Sequence, residues 1–179
     1  FDRNVAMKSK SFAIGVRAEH RQDMIDEAMY GRKERGPLGA AAYKLTAQLE
    51  NGRGVYTFCM CPGGYVVNAS SEQGRLAVNG MSYHDRAGEN ANSAVIVTVT
   101  KDDYGSDHPL AGMEFQRRLE KKAWEEGGGN VPIQRFADFC TGTISVKTGN
   151  VTPNIKGKYV FGNVRNIFPP ELAESIESG

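Results

Sequence analysis

The stretch Phe58-Cys59-Met60-Cys61-Pro62-Gly63-Gly64-Tyr65-Val66-Val67-Asn68 constrains this chain more than any other. One β-rich run enters a Pro-Gly-Gly turn and a second leaves it. Proline at the second position of a turn presets φ, and glycine at the third supplies positive φ, so Cys61 to Gly64 suits a type II reversal. Residues at i and i+2 of a strand share a face, which would set the Cys59 and Cys61 thiols on one side of a sheet beside that turn.

The rest of the chain extends this antiparallel theme. Residues 11–19 alternate as a strand, and Met24, Ile25, Ala28 and Met29 then mark one face of a helix over 21–30. Gly31 follows as its left-handed stop, and 31–39 is a charged loop. Further strands are expected at 42–49, 54–61, 64–70, 75–80 and 93–100, running as a meander. Asn51-Gly52 marks a hairpin between the first two. A polar loop over 82–92 carries Arg86, Asn90 and Asn92. A helix is expected over 109–126, capped by Ser106 or Asp107, with Phe115, Leu119 and Ala123 on one face and Gly127 to Gly129 ending it. A shorter helix follows over 132–139, then an irregular or weakly β stretch, and Pro169-Pro170 opens a terminal helix. The class is α+β, an antiparallel sheet with helices packed on one side.

Charge and cysteine usage exclude several functions. A net charge of +1 over 179 residues gives no basic surface for nucleic acid. No apolar run approaches the roughly 20 residues of a membrane helix. Three cysteines do not suit a secreted disulfide framework, so free thiols in a reducing cytoplasm are expected. There is no Gly-x-Gly-x-x-Gly after a strand, no P-loop, no Gly-x-Ser-x-Gly and no His-Glu-x-x-His.

Three roles remain open for the thiol pair. Structural zinc needs four ligands in characteristic pairs. Here Cys140, His20, His84 and His108 are scattered, so no metal ligand is assigned. A redox dithiol needs cations or a helix N-terminus to lower a thiol pKa. The third role is small, buried strand packing. Arg17 and Glu19 share a strand face beside His20, as a clamp for an anionic or planar ligand or as an ion pair on a sheet edge.

Phe12-Ala13-Ile14-Gly15-Val16-Arg17-Ala18-Glu19-His20, with Ile25-Asp26 and Tyr30-Gly31, resembles the opening of a region in FAD-dependent dehydrogenases, the NAD(P)/FAD-dependent oxidoreductases. Arg53-Gly54-Val55-Tyr56, Phe58 to Asn68, Asn79-Gly80-Met81-Ser82, Ala91-Asn92-Ser93-Ala94 and Glu114-Phe115-Gln116-Arg117 continue the pattern in order. The resemblance implies a flavoprotein whose FAD-binding domain lies on both sides of this segment. Residues 1–10 would be a lead-in, 11–140 a substrate-side insert domain, and 141–179 the segment leading back. It would then bind FAD mainly through chain lying elsewhere, which accounts for the missing glycine fingerprint. Partners would be that FAD-binding domain, a small-molecule substrate and NAD(P), with no nucleic acid and no membrane. A looser similarity to geranylgeranyl-reductase-like and hydroxybenzoate-hydroxylase-like flavoproteins implies that the strand entering the turn lies near the flavin. Pro62, Gly63 and Gly64 would form the flavin-facing wall, and Cys59, Cys61 and His20 the catalytic candidates. Arg17, Glu19, Arg86 and Asn92 would contact substrate. Thiols stand where those proteins place aromatics. The alternative is a non-catalytic binding or scaffold module with inert thiols.

Overall fold

The computed structural model describes residues 5–179. One antiparallel sheet holds four strands in the order β1 (Phe12–Arg21), β6 (Asn90–Val99), β3 (Gly54–Cys61) and β2 (Thr46–Gln48). Phe12, Ile14 and Val16 face Val99, Val97 and Val95 across the first pair, and Val55 faces Val97 across the second. Val97 and Val99 are fully buried, whereas Ile96 and Thr98 are half-buried. That period of two is the mark of a sheet with one face in the core.

A second sheet takes β5 (Val78–Ser82), β4 (Gly64–Asn68) and β8 (Ile155–Lys156), with β4 and β8 parallel. A third pairs β7 (Val131–Ile133) with β9 (Tyr159–Phe161), also parallel. The helices are α1 (Gln22–Tyr30), α2 (Lys101–Tyr104), α3 (Ala111–Glu126), α4 (Phe136–Thr141) and α5 (Pro170–Ser178). Phe115 and Ala123 of α3, and Leu172, Ala173 and Ile176 of α5, share one core with Val55, Val97 and Val99. Each large side chain there contributes roughly 1.5–3 kcal/mol of burial.

The α+β class, the strand following residue 11, the Gly31 stop at φ 70° and the Asn51-Gly52 hairpin all stand as expected. The face of α1 marked by Met24, Ala28 and Met29 is exposed, and Gln22 and Asp26 are its buried residues. Four other local expectations fail. The strands are not ordered as a sequential meander: β6 inserts between β1 and β3, and the Pro62 turn sends β4 into another sheet. Asn90 and Asn92 lie in β6 rather than in a loop. Ser106 does not cap α3; its hydroxyl accepts from the His108 N–H, and Leu110 takes the N-cap position. Residues 132–139 split into β7 and α4, because β7 pairs with the distant β9, which no local pattern reveals. Among the described residues no helix is long and apolar enough to cross a membrane.

Candidate functional site

Register brings the polar candidates together. Arg17 lies opposite Ala94, and both Glu19 and Cys61 lie opposite Asn92, so these side chains share the face of the sheet turned away from Val97. The Arg17 guanidinium donates to the Cys59 carbonyl from Nη1 at 3.1 Å and from Nη2 at 2.7 Å. Its Nε donates to Asn92 Oδ1 at 3.1 Å, and Nη2 stands 3.7 Å from Cys61 Sγ. The planar fork thus ties β1 to the end of β3 across the intervening β6, which a lysine could not reproduce.

The end of β3 is bulged. Phe58 pairs with Ala94 and Cys61 with Asn92, so β3 advances three residues while β6 advances two. One extra residue is accommodated, and Cys59 takes φ 46°, a left-handed conformation uncommon outside glycine. Simple alternation therefore fails at the thiols. Cys59 is exposed and Cys61 half-buried, which rules out the buried-packing role for Cys59. The Cys61 thiol donates to the Cys59 carbonyl at 3.3 Å.

The following turn is held by the chain itself. The Gly63 N–H donates to Gln22 Oε1 at 2.8 Å. Gln22, buried at the head of α1, also donates to Asp26 Oδ1 at 2.8 Å and to the Ala41 carbonyl at 3.0 Å. A Cβ on Gly63, at φ 50°, would stand 2.0 Å from the Arg86 carbonyl oxygen, and one on Gly64 would stand 2.1 Å from that of Met81. The glycines are thus required by close approach of the protein's own backbone. Arg86 contributes that carbonyl, while its side chain is exposed.

Glu19 and His20 diverge. The Glu19 carboxylate accepts from the Asn154 N–H at 3.0 Å and from Asn90 Nδ2 at 3.2 Å, yet burial raises its pKa from its ordinary value. His20 lies on the opposite face, opposite Ala91. Its Nε2 is 2.6 Å from the Tyr43 hydroxyl, its Nδ1 is buried without a partner, and burial lowers its pKa. Asn92, wholly buried, also leaves Nδ2 without a partner. Gly80 lies against this cluster: a Cβ there would meet Asn92 Oδ1 at 2.1 Å and Arg17 Cζ at 2.5 Å. Sequence reasoning missed Gln22 and Gly80. A glycine inside a strand pattern signals close backbone approach and could have flagged the second; nothing local flags Gln22.

Two surfaces adjoin these residues. Beyond Arg17, the outer sheet face continues through Ala13, Gly15, Ala94, Ile96 and Tyr56 to Phe58, none of them in the core cluster, and Phe58 is 57% exposed. A cleft of about 710 Å³ runs along β1 from Ile14 to Glu19, walled by Val78, Leu119, Ile133 and Ile155 among others.

Among the described residues no group of three or more His, Cys, Asp or Glu could hold a metal ion. The resemblance implies FAD. A dinucleotide needs a strand, a glycine-rich turn and a helix whose N–H groups cradle its phosphates. Here β1 passes directly into α1 through Arg21-Gln22, and Gly63 and Gly64 are filled by the chain's own carbonyls. The residues present do not fit that cradle. The outer sheet face ending at Phe58 and Cys59 is half-buried along Ala13, Gly15, Ala94, Ile96 and Tyr56 and exposed only at those two residues.

An uncharacterized protein of Clostridium beijerinckii is 49% identical over 180 residues, a match covering 98% of this chain and 34% of that protein. The chain thus spans about a third of the length of that relative. The family model described as FAD-dependent protein, C-terminal domain-like, matches residues 11–179. The chain belongs to that family.

Proposed function

We propose that this domain forms the substrate-side wall of an FAD-dependent dehydrogenase whose FAD-binding part lies elsewhere in the same polypeptide. The outer face of the four-stranded sheet carries this proposal. A solvated strand face ordinarily alternates to polar residues. Apart from Thr98 and the Arg17, Glu19 and Asn92 cluster at one end, this one presents Ala13, Gly15, Ala94, Ile96, Tyr56 and Phe58, leading to an exposed thiol at Cys59. Such a surface excludes water from a planar ligand laid against it.

The cofactor, when bound, would supply hydride acceptance, and the wall would supply shape, orientation and dryness. In this proposal Phe58 and Cys59 form the rim nearest the reacting groups. Arg17 is a positioning residue: two of its guanidinium hydrogen bonds hold the Cys59 carbonyl of the bulge, and a third anchors it to Asn92 on β6. His20 lies on the opposite face, 2.6 Å from the Tyr43 hydroxyl, and takes no part in this rim. Pro62, Gly63 and Gly64 keep the rim in place from the turn side.

The test is anaerobic reduction of the full-length protein. Purified protein is expected to hold FAD, and a screen of small organic reductants is expected to find compounds that bleach it. Phe58→Ala is expected to retain FAD but to slow that bleaching about tenfold or more. Full-length protein without flavin, or reduction unaltered by Phe58→Ala, would sink the proposal.

A further inference from the structure

β1 is an edge strand without the usual protection. It pairs with β6 alone among the described residues, and no backbone hydrogen bond outside the ladders involves Ile14 to Glu19. The opposite edge, β2, is blunted to three residues, but β1 runs for ten and contains neither proline nor lysine. Its charges are engaged elsewhere: Arg17 with Cys59 and Asn92, Glu19 with Asn90 and Asn154, Arg21 with Asp23 and Glu89. A long, bare edge is a template for another strand, and proteins normally cover it.

The cleft lies along this edge. Its lining takes six consecutive residues, Ile14 to Glu19, from both faces of β1, so the space faces the strand's row of peptide groups rather than one of its faces. The remaining wall is largely aliphatic: Val78 from β5, Leu119 from α3, Ile133 from β7 and Ile155 from β8, each half-buried. The cleft is half open to solvent, so an incoming chain can reach it along the strand. An apolar small molecule would satisfy the aliphatic wall and leave the peptide groups unpaired, which is costly away from water. An extended peptide satisfies both.

We propose that a strand from outside this domain, in the same polypeptide, adds to the free edge of β1 over Ile14 to Glu19 and fills the cleft with alternate apolar side chains. Six residues of strand span about 20 Å. This inference rests on the proposal that the domain is one part of a longer flavoprotein, and the C. beijerinckii relative has about two thirds of its length outside the match.

Residue-resolved hydrogen exchange on the purified full-length protein tests it, with flavin content measured on the same sample. All amides from Ile14 to Glu19 are expected to exchange roughly a thousandfold or more below unstructured rates, independently of protein concentration. Every second amide exchanging near unstructured rates would overturn the proposal. Protection that grows with concentration would assign the edge to a second copy and would also overturn it. A photoreactive residue in place of Ala18 is expected to cross-link to a peptide of the same chain outside residues 5–179. Cross-links confined to residues 148–155, or to a co-purified small molecule, would contradict it. Failure with flavin bound removes the added strand and leaves the flavoprotein proposal standing; protection without flavin does the reverse.

Discussion

Arg17 Nη2 donates to the Cys59 carbonyl at 2.7 Å, joining two residues 42 apart in sequence and two strands that are not neighbours. β6 lies between them, so one guanidinium reaches across it to fix the bulged end of β3. Asn92, wholly buried on β6, accepts from the same side chain.

Removing this fork leaves buried polar groups unmatched. Arg17→Ala is expected to destabilise the protein by about 2–3 kcal/mol, because Asn92 would then have both amide ends unpaired. Arg17→Lys is expected to recover less than half of that, since an ammonium cannot serve both acceptors in the same plane. Denaturant melts check both; full recovery by lysine would show that charge alone matters.

The backbone at Cys59 makes a separate prediction. A β-branched side chain is poorly tolerated at φ 46°, so Cys59→Val is expected to cost about 1–2 kcal/mol. Cys59→Gly relieves the strain while adding unfolded-state freedom, and is expected to stay within about 0.5 kcal/mol of the parent. Equal melting of the two variants would mean that the bulge is not left-handed in solution.

The thiols are expected to differ in reactivity. Cys59 is exposed, whereas Cys61 is half-buried and donates to a carbonyl. Timed alkylation with peptide mass spectrometry should label Cys59 about tenfold faster or more, since access governs the rate. Faster labelling of Cys61 would indicate that Arg17 activates its thiolate, and would favour a redox dithiol.

Stability should fall in mild acid through His20. Burial sets its folded pKa below the ordinary 6.5, so the unfolded chain takes up the proton first. The His20 contribution is complete above pH 6.5 and is lost as pH falls from there through the lowered folded value. Glu19 acts oppositely: its raised pKa gives a contribution present below the ordinary 4.5 and lost as pH rises through the folded value. Melting of His20→Gln alongside the parent isolates the histidine. The parent should lose stability relative to the variant below pH 6.5, and parallel curves would refute the assignment.

Much of this was legible in the residues. Pro62-Gly63-Gly64, Asn51-Gly52 and Gly31 act through local φ preferences, and each turn stands where those preferences put it. The shared face of Arg17 and Glu19 followed from strand period alone. The arrangement at Cys59 did not, because a bulge is set by the register between β3 and β6, residues about 35 apart. For the same reason Asn92 was read as a loop residue, although pairing with both Glu19 and Cys61 buries it completely. His20 seemed to join Arg17 and Glu19 by proximity in sequence, but the two-residue period turns it to the other face, toward Tyr43.

The most direct test of the central claim places a charge on the rim. In the full-length protein Cys59→Asp should leave FAD content unchanged, since the dinucleotide is held elsewhere. It should shift the visible absorption of the bound flavin and slow its anaerobic reduction by about tenfold or more, as a fixed negative charge beside the ring opposes electron gain. An unchanged flavin spectrum together with an unchanged reduction rate would show that the Cys59 rim does not face the cofactor, and would contradict the account.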